Sequence, residues 1–249
     1  MKTHLLLALG LAALTASAFA ADSGFKPIFD GKTLSGWEGL PSFWSVKDGA
    51  LTGQTTAENP AKTNTFLIYQ GASPANFALR LSFRLTPNND KKWGNSGVQY
   101  RSKIVDAAGF VVAGYQADID SPFKYTGMLY EEKGRGILMN TGEKIRIGAT
   151  TMVPDAKKKD AMKKQTAVEK LPGATPTADI AAAYKLGDWN ELVITANGNQ
   201  LRHTVNGVVT ADVTETDTSI AKSGVIALQL HVGPPMTIQF KNVYLKTLP

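Results

Sequence analysis

The chain has 249 residues, 43% hydrophobic and 19% charged, with 27 Lys+Arg against 21 Asp+Glu, a formal net charge of +6, and no cysteine. The missing cysteine excludes disulfides, thiolate nucleophiles, Cys-ligated zinc, iron–sulfur clusters and acylation of an N-terminal cysteine. The length suits one globular domain or two small ones.

Lys2 precedes an uncharged apolar run, Leu5 to Leu14, and Ala18-Phe19-Ala20 supplies the small-x-small pattern of a cleavage site. Residues 1–20 are therefore expected to be a signal peptide cleaved after Ala20, leaving 21–249 as one exported domain, periplasmic or secreted. The run falls short of the ~20 apolar residues of a membrane-spanning helix, so no transmembrane anchor is expected. An exported chain without disulfides suits a bacterial periplasm or surface.

Beyond the leader, short strands alternate with turn residues. Trp44 to Thr52 carries Asp48-Gly49 between apolar flanks, the pair that supplies the positive φ of a tight hairpin. Leu79 to Leu85 alternates apolar residues with Arg80, Ser82 and Arg84, giving one buried and one wet face. Val98 to Ser102, Ala113 to Ile119 and Ile145 to Thr150 repeat that period. Ala156 to Lys170 breaks it: good helix formers, six lysines and the spaced apolar residues Met162, Val168 and Leu171 predict a short solvated helix. Pro172 to Ala183 follows as a loop, so the stretch reads as an insertion between strands, either merely solvated or serving as a lid or a contact to an anionic polymer. Leu192 to Ala196, Leu201 to Val205 and Val208 to Val213 are joined by Asn197-Gly198 and Asn206-Gly207, strong hairpin signals. Val225 to Val232 and Met236 to Leu245 close the chain. About a dozen strands with almost no helix imply an all-β antiparallel sandwich carrying a short Lys-rich helical insertion.

Without Lys2 the balance is 26 basic to 21 acidic residues, a charge of +5, and the lysines of 156–170 against Asp160 and Glu169 hold +4 of it. The excess belongs to the insertion, and no aromatic residues are interleaved there for base stacking, so nucleic acid is not an expected partner.

Phe29-Asp30-Gly31-Lys32-Thr33-Leu34-Ser35-Gly36-Trp37, Gly94-Asn95-Ser96-Gly97-Val98-Gln99-Tyr100-Arg101 and Gly114-Tyr115-Gln116-Ala117-Asp118-Ile119-Asp120 occur in that order. Thr126-Gly127-Met128-Leu129-Tyr130-Glu131, Asp188-Trp189-Asn190, Val205-Asn206-Gly207, Leu228-Gln229-Leu230-His231 and Phe240-Lys241-Asn242-Val243 follow. Taken together, this ordered set resembles the 3-keto-disaccharide hydrolase family over about residues 25 to 247. The resemblance implies a concanavalin A-like jelly-roll sandwich and cleavage of glycosides that carry a C3 ketone. Many relatives continue the Gly-Tyr segment as Glu-x-Gln, whereas this chain has Gln116-Ala117-Asp118, an acid displaced by two positions and so kept on the same strand face. Lys241-Asn242 replaces a typical Arg-Asn.

Gln116, Asp118 and Asp120 share one strand face, as do Gln99 and Arg101. With Trp93, Asn95, Tyr115 and Tyr130 they supply the amides, guanidinium and flat rings that suit a carbohydrate. Glu131 follows the family-like Tyr130 and is preferred over Glu132, which reads as an exposed turn residue. His203 reads as structural, and His231 ends a strand at a loop, where site residues collect. The mechanism implied by the resemblance is removal of the C2 proton and elimination of the C1 substituent, followed by water addition, a net hydrolysis. Asp118, Glu131 or His231 would be the base, Arg101 or a bound cation would stabilise the enolate, and Tyr130 or Asn95 would orient the sugar. No cofactor is evident; a divalent cation near Asp118 and Asp120 is left open. No P-loop, GxGxxG, HExxH or Gly-x-Ser-x-Gly elbow occurs, and the paired acids of a jelly-roll endo-glycanase are absent. The alternative function is a non-catalytic carbohydrate-binding module.

Overall fold

The computed structural model describes residues 24–157 and 161–249, so the expected signal peptide lies outside the described residues. Its first strands are β1 (Lys26–Pro27), β2 (Trp37–Glu38), β3 (Trp44–Lys47), β4 (Ala50–Gln54), β5 (Thr65–Tyr69) and β6 (Phe77–Pro87). The middle of the chain forms β7 (Gly94–Asp106), β8 (Val111–Ser121), β9 (Leu129–Glu132), β10 (Gly136–Ile137), β11 (Lys144–Pro154) and β12 (Met162–Lys170). Helix α1 (Thr177–Ala183) precedes β13 (Asn190–Asn197), β14 (Gln200–Val205), β15 (Val208–Glu215), β16 (Val225–Leu230) and β17 (Met236–Thr247).

These strands form two sheets. A ten-stranded sheet runs β12-β11-β15-β14-β13-β6-β17-β4-β3 with β1 added on β17, and a seven-stranded sheet runs β10-β9-β8-β7-β16-β5-β2. The expected hairpins are where the turn chemistry placed them: Asp48 and Gly49 have φ of 50° and 72°, and Asn206 and Gly207 have 48° and 81°, the left-handed pairs a two-residue hairpin turn needs. Between the sheets, alternate residues form one continuous core that includes Leu79, Leu81, Phe83, Val98, Tyr100, Ala117, Ile119, Ile194, Leu228 and Phe240. At roughly 25 cal/mol per Å2 of apolar area removed from water, a core of this extent supplies the main force holding the layers together.

The described part of the Lys-rich segment is not a helix. Met162 to Lys170 is the edge strand β12, antiparallel to β11, with Ile145 opposite Lys170 and Pro154 opposite Met162. A Thr150–Thr166 hydroxyl contact of 2.9 Å and the Arg146–Glu169 ion pair of 2.5 Å tie the two strands. Helix propensity is a weak prior, and the segment has no apolar stripe to hold a helix on the body; the open edge of β11 offers a backbone partner for every second residue instead. The segment expected as a loop holds α1, whose buried Ile180 anchors it. No helix among the described residues is long and apolar enough to cross a membrane.

Candidate functional site

The site is built from the face of the seven-stranded sheet that points away from the core. In β7 and β8, Tyr100, Tyr115, Ala117 and Ile119 point inward, so the alternate positions face outward. Register sets Asn95 opposite Asp120, Gly97 opposite Asp118 and Gln99 opposite Gln116, and Gln116 opposite Tyr130 on β9. Gly97 is required here: a Cβ on it would lie 2.4 Å from Cδ of Gln116.

A pocket of about 280 Å3 opens on this face, lined by Asn95, Gln116, Asp118, Tyr130 and His231 together with Asn64, Tyr125, Met128, Glu132, Ile137 and Gln229. That is near the small end of ligand pockets, about 300–1,000 Å3. Beneath it runs a chain of oriented donors. Ser102 Oγ donates to Gln99 Oε1 at 2.7 Å, Gln99 Nε2 to Gln116 Oε1 at 2.9 Å, and Gln116 Nε2 to Asp118 Oδ1 at 2.6 Å. Asn95 Nδ2 donates to the other Asp118 oxygen at 3.2 Å. A weaker branch passes from Gln116 to Gln229 Oε1 at 3.4 Å and from Gln229 Nε2 to Glu132 Oε2 at 3.4 Å. Both branches end on carboxylates, which fixes the orientation of every amide in the network.

Burial opposes those hydrogen bonds and wins. Asp118 is 4% exposed, and burial pushes its carboxyl up to about 7 against the lowering effect of Gln116 and Asn95. Burial also raises Glu132, offset in part by Lys133 and Asn64. Burial lowers His231, whose Nδ1 lies 2.5 Å from the Val232 carbonyl; since a carbonyl only accepts, Nδ1 carries the proton and Nε2 is left as an acceptor.

Several expected site residues lie elsewhere. Arg101 shares no face with Gln99: a bulge between Tyr100 and Lys103 interrupts the register, and Arg101 has φ of 48°. Its guanidinium instead donates to the carbonyls of Ala75 at 2.6 Å and Gly198 at 2.9 Å. Tyr115 points into the sandwich, donating to Glu215 at 2.5 Å and accepting from Arg135 at 3.0 Å. Glu131 pairs with Tyr115 in the register and so faces inward too, bound to Arg135. Glu132, the residue after it, is the one at the pocket. Asp120 is enclosed by the turn behind it, accepting from the backbone N–H groups of Lys124, Tyr125 and Thr126 at 3.0, 2.9 and 2.8 Å. It holds the segment that brings Tyr125 and Met128 to the pocket. Gln99 orients Gln116 from behind, and Trp93 packs edge-on against His231 with ring centres 5.6 Å apart. His203 is buried in the core between Tyr100 and the Gly127 carbonyl, at 2.9 and 3.1 Å. Among the described residues no three His, Asp or Glu side chains converge to hold a metal ion.

Strand parity would have found Glu132 from Tyr130 and Gln229 from His231, each two positions away. Asn64 and Tyr125 arrive from loops whose path carries no such signal.

The described fold is similar to several solved structures. One is a "putative glycosyl hydrolase" from Parabacteroides distasonis ATCC 8503, 16% identical, covering 91% of this chain and 94% of that one with a TM-score of 0.55. A second protein so described from the same organism is 18% identical, covering 90% and 99%, with a TM-score of 0.53. The carbohydrate binding module CBM66 of Bacillus subtilis is 15% identical, covering 85% and 96%, with a TM-score of 0.50. At these identities the likeness establishes the fold, the expected concanavalin A-like jelly-roll sandwich. No curated protein matches the chain. The sequence pattern of the 3-keto-alpha-glucoside-1,2-lyase-like domain, however, matches residues 24–246, nearly all of the described chain, and the protein belongs to that carbohydrate-active family.

Proposed function

We propose that the pocket over Asp118 takes a glycoside already oxidised to a ketone at C3 and cleaves it by elimination, with Asp118 as the base. The observation that carries this reading is a carboxyl held near pKa 7 by burial and gripped by two amides, on the floor of a small polar pocket. A group so poised is both present as a base at neutral pH and strong enough to use. The ketone makes C2–H acidic. Asp118 takes that proton, the resulting enolate forms the C1–C2 double bond, and the C1–O bond breaks; the departing oxygen takes a proton from Glu132, the other carboxyl lining the pocket. Water adding across the double bond at C1 and C2 then gives the free 3-keto sugar.

Arg101 is removed from enolate stabilisation by its position, so the amide donors of Asn95 and Gln229 take that part. Tyr130 and Tyr125 offer ring faces to the sugar, and Nε2 of His231 accepts from a hydroxyl. One base suffices for this route, which does not need the two carboxyls about 5–9 Å apart of an ordinary glycosidase.

The test is incubation of purified protein with a 3-keto-glucoside and with its unoxidised parent, following aglycone release. Only the ketone should turn over, and Asp118→Asn should lower kcat about 10^2–10^4-fold. Tight binding of the parent with turnover of neither would replace this reading with the carbohydrate-binding module.

A further inference from the structure

Among the described residues, none of the lysine-rich segment lines the pocket over Asp118, yet one lines a second cleft. This cleft, of about 310 Å3, lies where the β9–β10 turn, the 219–223 connection and β12 meet. Lys103 enters it from β7, Lys133 from the turn and Lys164 from β12, with the hydroxyl-bearing Ser219 and Ser223 beside them. Register explains the first two: Lys103 is opposite Ala113 on β8, and the next residue, Gly114, is opposite Glu132 on β9, so Lys103 and Lys133 flank β8 at one end. Lys164 comes from the other sheet, on the arm formed by β11 and β12.

Two acids, Glu131 and Glu132, lie on the wall of the cleft and Lys133 offsets Glu132, but the three lysines outnumber them. Glu131, on its wall, is engaged by Arg135. Among the described residues none of the three lysines forms an ion pair. Charged side chains on an exposed edge strand protect against edge-to-edge pairing, which accounts for lysines on β12 but not for two more that meet them from the opposite sheet. Like charges gathered from three chain segments repel, and folding alone gives no reason to gather them.

We propose that this cleft binds the anionic group of an acidic saccharide: a carboxylate, sulfate or phosphate carried on a sugar. The choice of a sugar as carrier rests on reading the neighbouring pocket as a sugar site. Glu132 lines both cavities, so the two share a wall at that residue.

The test is titration of the intact protein with glucuronate, glucose 6-phosphate, glucose and inorganic phosphate, read by calorimetry or by chemical-shift changes. Both acidic sugars should saturate a site that glucose does not, with affinity falling as salt is raised. Lys133→Gly combined with Lys164→Ala should weaken glucuronate at least about tenfold. Lys133 has φ of 52°, a conformation glycine adopts without strain, so the double variant should melt no lower than the wild type. Lys164→Arg should keep binding. Equal affinity for glucose and glucuronate, or undiminished binding by the double variant, would overturn the proposal; phosphate binding as tightly as glucose 6-phosphate would overturn its saccharide half. None of these ligands is a ketone substrate, so a failed cleavage assay and a failed titration are read separately.

Discussion

Asp118 is the base of the proposed reaction, and its pH behaviour is set by burial, which raises its carboxyl, against the hydrogen bonds of Gln116 and Asn95, which lower it. With its carboxyl near 7, the fraction in base form grows about tenfold per pH unit below that value and then levels. The rising limb of the kcat/KM profile should follow that shape, with a midpoint near 7. Stability responds in the opposite sense. Between the ordinary aspartate value of 3.8 and about 7 the folded state keeps a proton that the unfolded state has released, so rising pH through this window destabilises the fold. Asp118→Asn should therefore raise the melting temperature relative to wild type by an amount that grows from pH 4 to pH 8; a constant difference would mean burial does not govern this carboxyl. His203 acts at the acid end. Burial lowers its pKa from 6.5 to about 4, so stability is lost as pH falls from about 6.5 to 4, while the unfolded chain takes up a proton and the native core refuses it. His203→Gln should blunt that acid loss, checked by the same melts at pH 4–7.

At the scale of elements, the turn from Lys124 to Thr126 is held by one carboxylate. Asp120 accepts three backbone N–H groups and the Thr126 hydroxyl at 2.8 Å. Asp120→Ala removes the acceptor and leaves those donors competing for water, a loss of about 2–4 kcal/mol. Amide exchange at 124–126 should quicken and KM should rise more than kcat falls, because Tyr125 loses its position while Asp118 keeps its own partners. Gly97→Ala tests the floor of the pocket: the new methyl displaces Gln116, so the donor chain to Asp118 breaks and the pH midpoint of activity moves.

The part of the site legible in the sequence through alternation was Gln116 with Asp118, whereas the same rule applied to Gln99 and Arg101 failed at the bulge after Tyr100. Alternation also decides between Glu131 and Glu132, since only the latter shares the parity of Tyr130. Arg101 escaped because the bulge that turns it leaves no mark in composition, an arginine at positive φ being indistinguishable from any other in the sequence. The edge strand β12 escaped because lysine, alanine and methionine favour a helix locally, and the partner that overrides them, β11, is set by tertiary pairing.

At the scale of the molecule, a chain without cysteine holds two sheets together by their shared core and closes their polar accounts locally. The turn signals and two-residue periods were enough to place a sandwich, because antiparallel sheets covered on one face alternate in sequence. The order of strands was not readable that way: β6 sits between β13 and β17, and β16 between β7 and β5, pairings whose partners are far apart in sequence.

One of those distant pairings has a practical use. Lys26 is opposite Leu245 and Pro27 opposite Tyr244, and a Cβ built on Gly24 would lie 3.2 Å from the Lys246 side chain. Both ends of the described chain therefore leave side by side from the β1–β17 pair of the ten-stranded sheet, whereas the pocket opens on the outer face of the seven-stranded one. An anchor at either terminus, or a short linker joining the two in a circular permutant, leaves the whole core between the attachment point and the ligand. Immobilised through either end, the protein should present its pocket to a soluble saccharide unobstructed.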